Sequence, residues 1–162
     1  MTALLFIGVD PGKESGLASI RWNAVEDRWD RYEIRVLDAQ ALCDTVWSTL
    51  NGIAWTTHIS VERFTMSGRT SHMTRQNDAI EVIGALRWMS TRWRNKVTFR
   101  VRGAAEATKT GNHDVQRAAG LWRVGVTDHE RRATAQLLTG ISQRTPHLFV
   151  ELTRGGKIDA DT

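Results

Sequence analysis

Apolar residues run without a break through Leu4-Leu5-Phe6-Ile7-Gly8-Val9 and stop at Asp10. A strand that is apolar at every position is buried on both faces, so residues 3–9 are expected near the middle of a sheet. Pro11-Gly12 turns the chain, and Gly16-Leu17-Ala18-Ser19-Ile20 begins a second strand over about 16–22. After a polar stretch from Asn23 to Asp30, Tyr32, Ile34 and Val36 alternate with charged residues, which predicts a third strand over 31–37. Such short connections make the three an antiparallel meander. The period then lengthens: Leu42, Val46, Trp47 and Leu50 share one side of a helix over 38–50, ended by Gly52. A fourth strand follows through Ile59-Ser60-Val61 to Glu62, then a loop over 65–75 rich in Gly, Ser, Thr and Arg. Ala79, Ile80, Ile83, Leu86 and Met89 mark a helix over 77–94, with Asn77 as its N-cap. Residues 97–101 alternate as a fifth strand, and helices are expected over 112–122 and 128–140. The order predicts an α/β domain over 1–150: a mixed five-stranded sheet, three antiparallel strands plus two parallel, flanked by helices. The polar residues 151–162 are expected to form a loose C-terminal tail.

Composition narrows the class. The 162 residues are 41% hydrophobic, which suits one domain with a proper core. No apolar run reaches the ~18 residues that a membrane span needs. Met1-Thr2-Ala3 lacks a basic leader, and the single cysteine, Cys43, excludes an internal disulfide framework. A cytoplasmic protein without a membrane partner is expected. The net charge of +4 favours polyanions moderately. Between Arg87 and Arg102, six basic residues occur with no Asp or Glu, interleaved with Trp88 and Trp93. Such a stripe suits phosphates and stacked bases, and equally suits a solvated basic face over packed tryptophans.

Three acids stand where chemistry is expected. Asp10 ends the first strand and Glu62 ends the fourth. If those strands are parallel neighbours, ~4.8 Å apart, the two carboxylates leave the same sheet edge. There they repel unless a proton or a cation intervenes. Asp128 opens the last helix in Thr127-Asp128-His129-Glu130. Thr127 and Glu130 have the spacing of a capping box, which is a structural reason for the acids. The functional reading is that Asp128, with His129, completes an oxygen-rich site for Mg²⁺ or Mn²⁺. Two such ions ~3.5–4 Å apart activate a water and stabilise the leaving oxygen of a phosphodiester.

These segments together resemble the RuvC-type Holliday junction resolvases of the RNase H superfamily, and most of all their small phage-borne branch. The resemblance covers roughly residues 3–140. It rests on Gly8-Val9-Asp10-Pro11-Gly12, on Glu62, and on Asp78 to Leu86. Lys109, Arg117 to Trp122 and Asp128-His129-Glu130-Arg131 complete it. It implies an RNase H-like fold and a homodimeric nuclease that nicks four-way DNA junctions symmetrically with Mg²⁺ or Mn²⁺, leaving ligatable 5′-phosphates. It assigns Asp10, Glu62, Asp128 and His129 as catalytic metal ligands, and Lys109 as a phosphate or leaving-group contact on a flexible loop. The family's last helix normally carries an Asp just before an Ala. Here Ala133 is preceded by Arg132. That cation either holds a DNA phosphate, weakens metal binding, or leaves a protein that binds junctions without cutting them.

Arg63, Arg69 and Arg75 are further candidate DNA-backbone contacts, and Phe64 is a candidate wedge against a distorted base step. His58, His72, His113 and His147 show no metal-ligand spacing. Gly84, inside the 77–94 helix, costs ~1 kcal/mol relative to Ala. Close packing on the sheet, or against a second copy, would offset it. Two other functions compete. A related nuclease on forks, flaps or structured RNA needs the same acids. A phosphotransferase of the actin and sugar-kinase type would use Gly8 to Lys13 as a phosphate hairpin, but needs a second such domain.

Overall fold

The computed structural model describes residues 3–64, 76–155 and 158–159. Strands β1 (Ala3–Asp10), β2 (Glu14–Asn23) and β3 (Arg28–Asp38) form the expected antiparallel meander. Helix α1 (Ala39–Gly52) leads to β4 (Thr56–Glu62), which lies parallel to β1. Helix α2 (Gln76–Arg92) leads to β5 (Val97–Arg102), parallel to β4. Then come α3 (Ala104–Thr110), α4 (His113–Ala118), α5 (Asp128–Arg144) and α6 (Pro146–Thr153). The sheet order is β5-β4-β1-β2-β3, and a two-residue strand β6 (Ile158–Asp159) adds to the free edge of β3. The mixed five-stranded sheet flanked by helices is therefore present. Among the described residues no helix is long and apolar enough to cross a membrane.

Both faces of β1 are buried, which explains its unbroken apolar run. Leu5, Ile7 and Val9 pack with Leu42, Val46 and Leu50 of α1 and with Val82, Leu86 and Met89 of α2. Phe6, Ala18 and Ile20 pack on the opposite face with Leu137, Leu138 and Ile141 of α5. Every residue of α5 from Ala133 to Ile141 is buried. The helix can lie this deep because glycines face it. A Cβ on Gly8 would stand 2.0 Å from the Ala133 carbonyl oxygen, and one on Gly16 would stand 2.0 Å from the His129 carbonyl oxygen. Tyr32 adds a polar tie from β3, its hydroxyl 2.9 Å from Thr134 Oγ1.

Helix starts follow local chemistry. Asp38 caps α1 by accepting from the Ala41 N–H at 2.7 Å. The expected capping box opens α5: Thr127 Oγ1 accepts from Glu130 N–H, and Glu130 Oε2 accepts from Thr127 N–H. Several expectations need correction. Asn77 lies inside α2 rather than capping it, since the helix already includes Gln76. The segment around Lys109 is not a loop. Ala104, Ala105 and Ala107 favour a helix there, and Lys109 sits in the last turn of α3. The helix expected over 112–122 stops at Ala118, where Gly120 takes φ +69° and turns the chain. Helix α6 runs through the expected boundary at residue 150, with Leu148 and Leu152 in the core.

Candidate active site

Strand register decides what meets at the sheet edge. Val9 pairs with Val61, so the next residues, Asp10 and Glu62, leave neighbouring parallel strands at the same level. Both are sheltered: Asp10 is 5% exposed and the Glu62 side chain is 12% exposed. Helix α5 brings two more groups from above. His129, in its first turn, donates from Nδ1–H to Asp10 Oδ2 at 2.8 Å. Arg132 places Nη1 3.9 Å from Glu62 Oε1. Four residues further, the fully buried Gln136 presents its amide toward Glu62, yet neither amide atom finds a geometrically sound hydrogen bond among the described residues.

Electrostatics follow from this crowding. Burial pushes the Asp10 carboxyl above its usual range, against the pull of the His129 hydrogen bond and the charges of His129 and Arg132. Burial and then the neighbouring Asp10 raise Glu62, against Arg132, Gln136 and His129. Two carboxylates that repel in a low-dielectric site, beside an unpartnered buried amide, form a place short of positive charge. With Nδ1 turned to Asp10, the other ring nitrogen, Nε2, is left for a further partner, on a side chain 42% exposed.

Asp128 does not join them. Its side chain is 84% exposed and faces Arg131 at 3.6 Å, because the first residue of α5 projects away from the strand tips. Among the described residues no three His, Cys, Asp or Glu side chains are grouped as metal ligands. The two-ion centre expected from Asp10, Glu62, Asp128 and His129 is thus not assembled from these side chains. What remains fits one hard cation. Mg²⁺ commonly takes one or two carboxylates and completes its shell with water and substrate phosphate oxygens. Asp10 and Glu62 are such a pair.

Lys109 is exposed on α3, Arg63 is exposed just beyond β4, and Phe64 is half-buried beside it. Arg69 and Arg75 lie outside the described residues. In the basic stripe, Trp93 packs edge-on to Trp47, whereas Trp88 is 57% exposed and stacks on Trp47 at 5.5 Å. Gln136 escaped the sequence reading, and Arg102 entered it only as the end of the basic stripe. Gln136 shares a helix face with His129 and Arg132 at spacings of seven and four, a signal open to periodicity. Arg102 pairs in register with Glu62 and is only 6% exposed; only strand pairing reveals it.

No family model matches the sequence, and no curated protein matches it. Solved structures do. RuvC of T. thermophilus, in complex with Holliday junction substrate, superimposes with a TM-score of 0.60 at 15% identity, covering 97% of this chain and 99% of that one. A second Thermus thermophilus RuvC structure gives a TM-score of 0.60 at 15% identity, over 89% of this chain and 96% of that one. The chain has a RuvC-like fold along nearly its whole length.

Proposed function

We propose that this protein is a metal-dependent, structure-selective endonuclease that cuts branched DNA and resolves four-way junctions by paired symmetric nicks. The observation that carries the reading is the sheltered Asp10–Glu62 pair at the tips of adjacent parallel strands, with His129 held against Asp10. A junction-bound RuvC of the same fold supports the substrate class. The sequence resemblance to the phage-borne branch adds to it, and a phage-encoded enzyme of this kind would act in the cytoplasm of the host cell.

Asp10 and Glu62 would hold Mg²⁺ or Mn²⁺, which supplies electrostatic stabilisation of charge developing on the phosphodiester. The reaction adds water to phosphorus and breaks the P–O3′ bond, leaving a 3′-hydroxyl and a 5′-phosphate. In this reading His129 Nε2 accepts the water's proton, and Asp10 fixes the ring that carries it. Arg132 is 60% exposed and only loosely held by Glu62 at 3.9 Å, so it is free to turn toward a phosphate oxygen. It then supplies a positive charge where the family has a carboxylate.

The proposed enzyme is a homodimer. Ile80 and Trp88 are exposed on α2 at 50% and 57%, and a Cβ on Gly84 between them would meet nothing within 4 Å. The amino-terminal half of this helix carries Asp78 and Glu81, and its other half carries Arg87 and Arg92. A two-fold axis through Gly84 would set acidic halves against basic halves.

A second reading, a junction binder that does not cut, is favoured by Arg132 alone. The test is incubation with labelled four-way junction, fork and linear duplex, in Mn²⁺, Mg²⁺ or chelator. Symmetric nicking of the junction, lost in chelator and in Asp10→Asn, is expected. Junction binding without nicking in either metal selects the second reading. Preference for forks or flaps moves the substrate to a related class, and normal cutting by Asp10→Asn removes the site.

A further inference from the structure

Next to the carboxylates, on the same face of the sheet, lies a pocket of about 370 Å³ lined by Arg100, Val101, Arg102, Glu106, Gln143 and Arg144. Three guanidinium groups and one carboxylate meet there. Arg102, at the end of β5, is the buried member. Its Nε and Nη2 donate to Gln143 Oε1 at 3.0 and 2.7 Å, and its Nη1 donates to Ser60 Oγ. A guanidinium has five N–H donors, so these bonds leave two to spare. The single carboxylate, Glu106, stands 3.7 Å from Arg102 Nε and is already accepting from Gln143 Nε2 at 2.6 Å. Arg100 and Arg144 are exposed at the mouth and add two like charges.

A buried arginine needs partners, and Gln143 and Ser60 provide them. That need does not account for two further arginines converging on it. Their mutual repulsion is felt. Burial and the charges of Arg100 and Arg144 hold Arg102 below the usual arginine range, against Glu106. Arg144 also adds to the burial that lowers His58 to about 4. Like charges gathered around a polar concavity are relieved by an anion. Forked donors suit the tetrahedral oxygens of phosphate better than a lone halide.

We infer that this arginine pocket binds a phosphate group, supplied by a DNA strand flanking the cut and not itself cleaved. Position supports the source. Arg102 is the register partner of Glu62 on the adjacent strand, and the Arg63 N–H donates to the Arg102 carbonyl at 2.6 Å. Strands are ~4.8 Å apart, so a backbone crossing the carboxylates reaches the pocket within a nucleotide or two. The assignment of DNA as the source rests on the proposed function; the phosphate site itself does not.

The experiment has two arms on the full chain, with Arg100→Gln/Arg144→Gln as the variant. Both positions are exposed, and circular dichroism checks the fold. In the first arm, inorganic phosphate should raise the Tm of the wild type and leave the variant unmoved at equal ionic strength. No phosphate-specific shift in the wild type overturns the site. In the second arm, junction affinity is read by fluorescence anisotropy in chelator over a salt series. The variant should bind about 10-fold more weakly, with a log–log salt slope shallower by about 1–2. An unchanged affinity and slope, alongside a phosphate shift in the first arm, overturns DNA as the source. A wild type that binds no branched DNA overturns both the source and the proposed function, and the first arm still decides whether phosphate is bound.

Discussion

Replacing Gly8 by alanine probes how closely α5 lies on the sheet. A Cβ at residue 8 would stand 2.0 Å from the Ala133 carbonyl oxygen, 2.4 Å from Leu137 N and 2.9 Å from Leu137 Cα. All three are backbone atoms, which cannot rotate aside. Real Cβ contacts stay above 3.0 Å, so strand and helix must part by about 1 Å. The parting opens a seam between Phe6, Ala18 and Ile20 and the buried Leu137, Leu138 and Ile141. Burying each of those three side chains contributes roughly 1.5–3 kcal/mol. A gap of 0.5–1 Å forfeits about a quarter to a half of a contact's attraction. The expected loss is about 3 kcal/mol, or a Tm lower by about 6–12 °C for a chain of this size. Thermal melts followed by circular dichroism measure it. Gly103→Ala serves as the control, because a Cβ there meets nothing within 4 Å. Because Gly103 also caps α3, the control's stability should change by up to about 1 kcal/mol, still well short of the loss at Gly8. A Gly8→Ala protein melting within about 2 °C of wild type would refute the close contact of helix and strand.

Two other perturbations follow from the charges. Arg132→Asp should lower the Mn²⁺ concentration needed to raise the Tm yet slow junction nicking, because it adds a carboxylate for the metal and removes the charge that turns to the phosphate; faster nicking would show instead that Arg132 only obstructs the metal. His58 is lowered from 6.5 to about 4, chiefly by burial, so between those values the unfolded chain binds the extra proton and stability falls as pH falls. Urea midpoints from pH 7 to pH 4 should drop more for wild type than for His58→Gln, by about 2–3 kcal/mol in all; parallel pH profiles would count against a half-buried imidazole with a lowered pKa.

Much of this was legible in the residues, for reasons that differ along the chain. The central position of β1 follows from apolar side chains at every place, which only burial on two faces rewards. The alternation of Tyr32, Ile34 and Val36 marked β3, although its start at Arg28 was hidden in a polar stretch. The convergence of Asp10 and Glu62 needed one assumption, parallel neighbouring strands, and register supplies it. Asp128 and His129 could not be separated by spacing, because adjacent helix positions differ by a rotation that only docking fixes. Docking turns His129 to Asp10 and leaves Asp128 in solvent. Helix α3 was missed because Gly103 and Gly111 frame it like a loop, while its alanines favour the helical turn. The helical spacing of Gln136 from His129 and Arg132 is in the sequence, but its burial and that of Arg102 are not: polar side chains become interior only when distant segments close over them.

The 17 residues of α5 span ~25 Å as one rod. Its first turn carries His129, and its last turn carries Gln143 and Arg144. Held along its length by the close contacts at Gly8 and Gly16, it moves as one body, and a tilt of only about 5° would swing each end by ~1 Å. Misplacing a reacting group by that distance can slow chemistry ~100-fold. Under the proposed function, a phosphate among the arginines at one end and the imidazole at the other would rest on the same rigid part, and a shift of either end would reach the other.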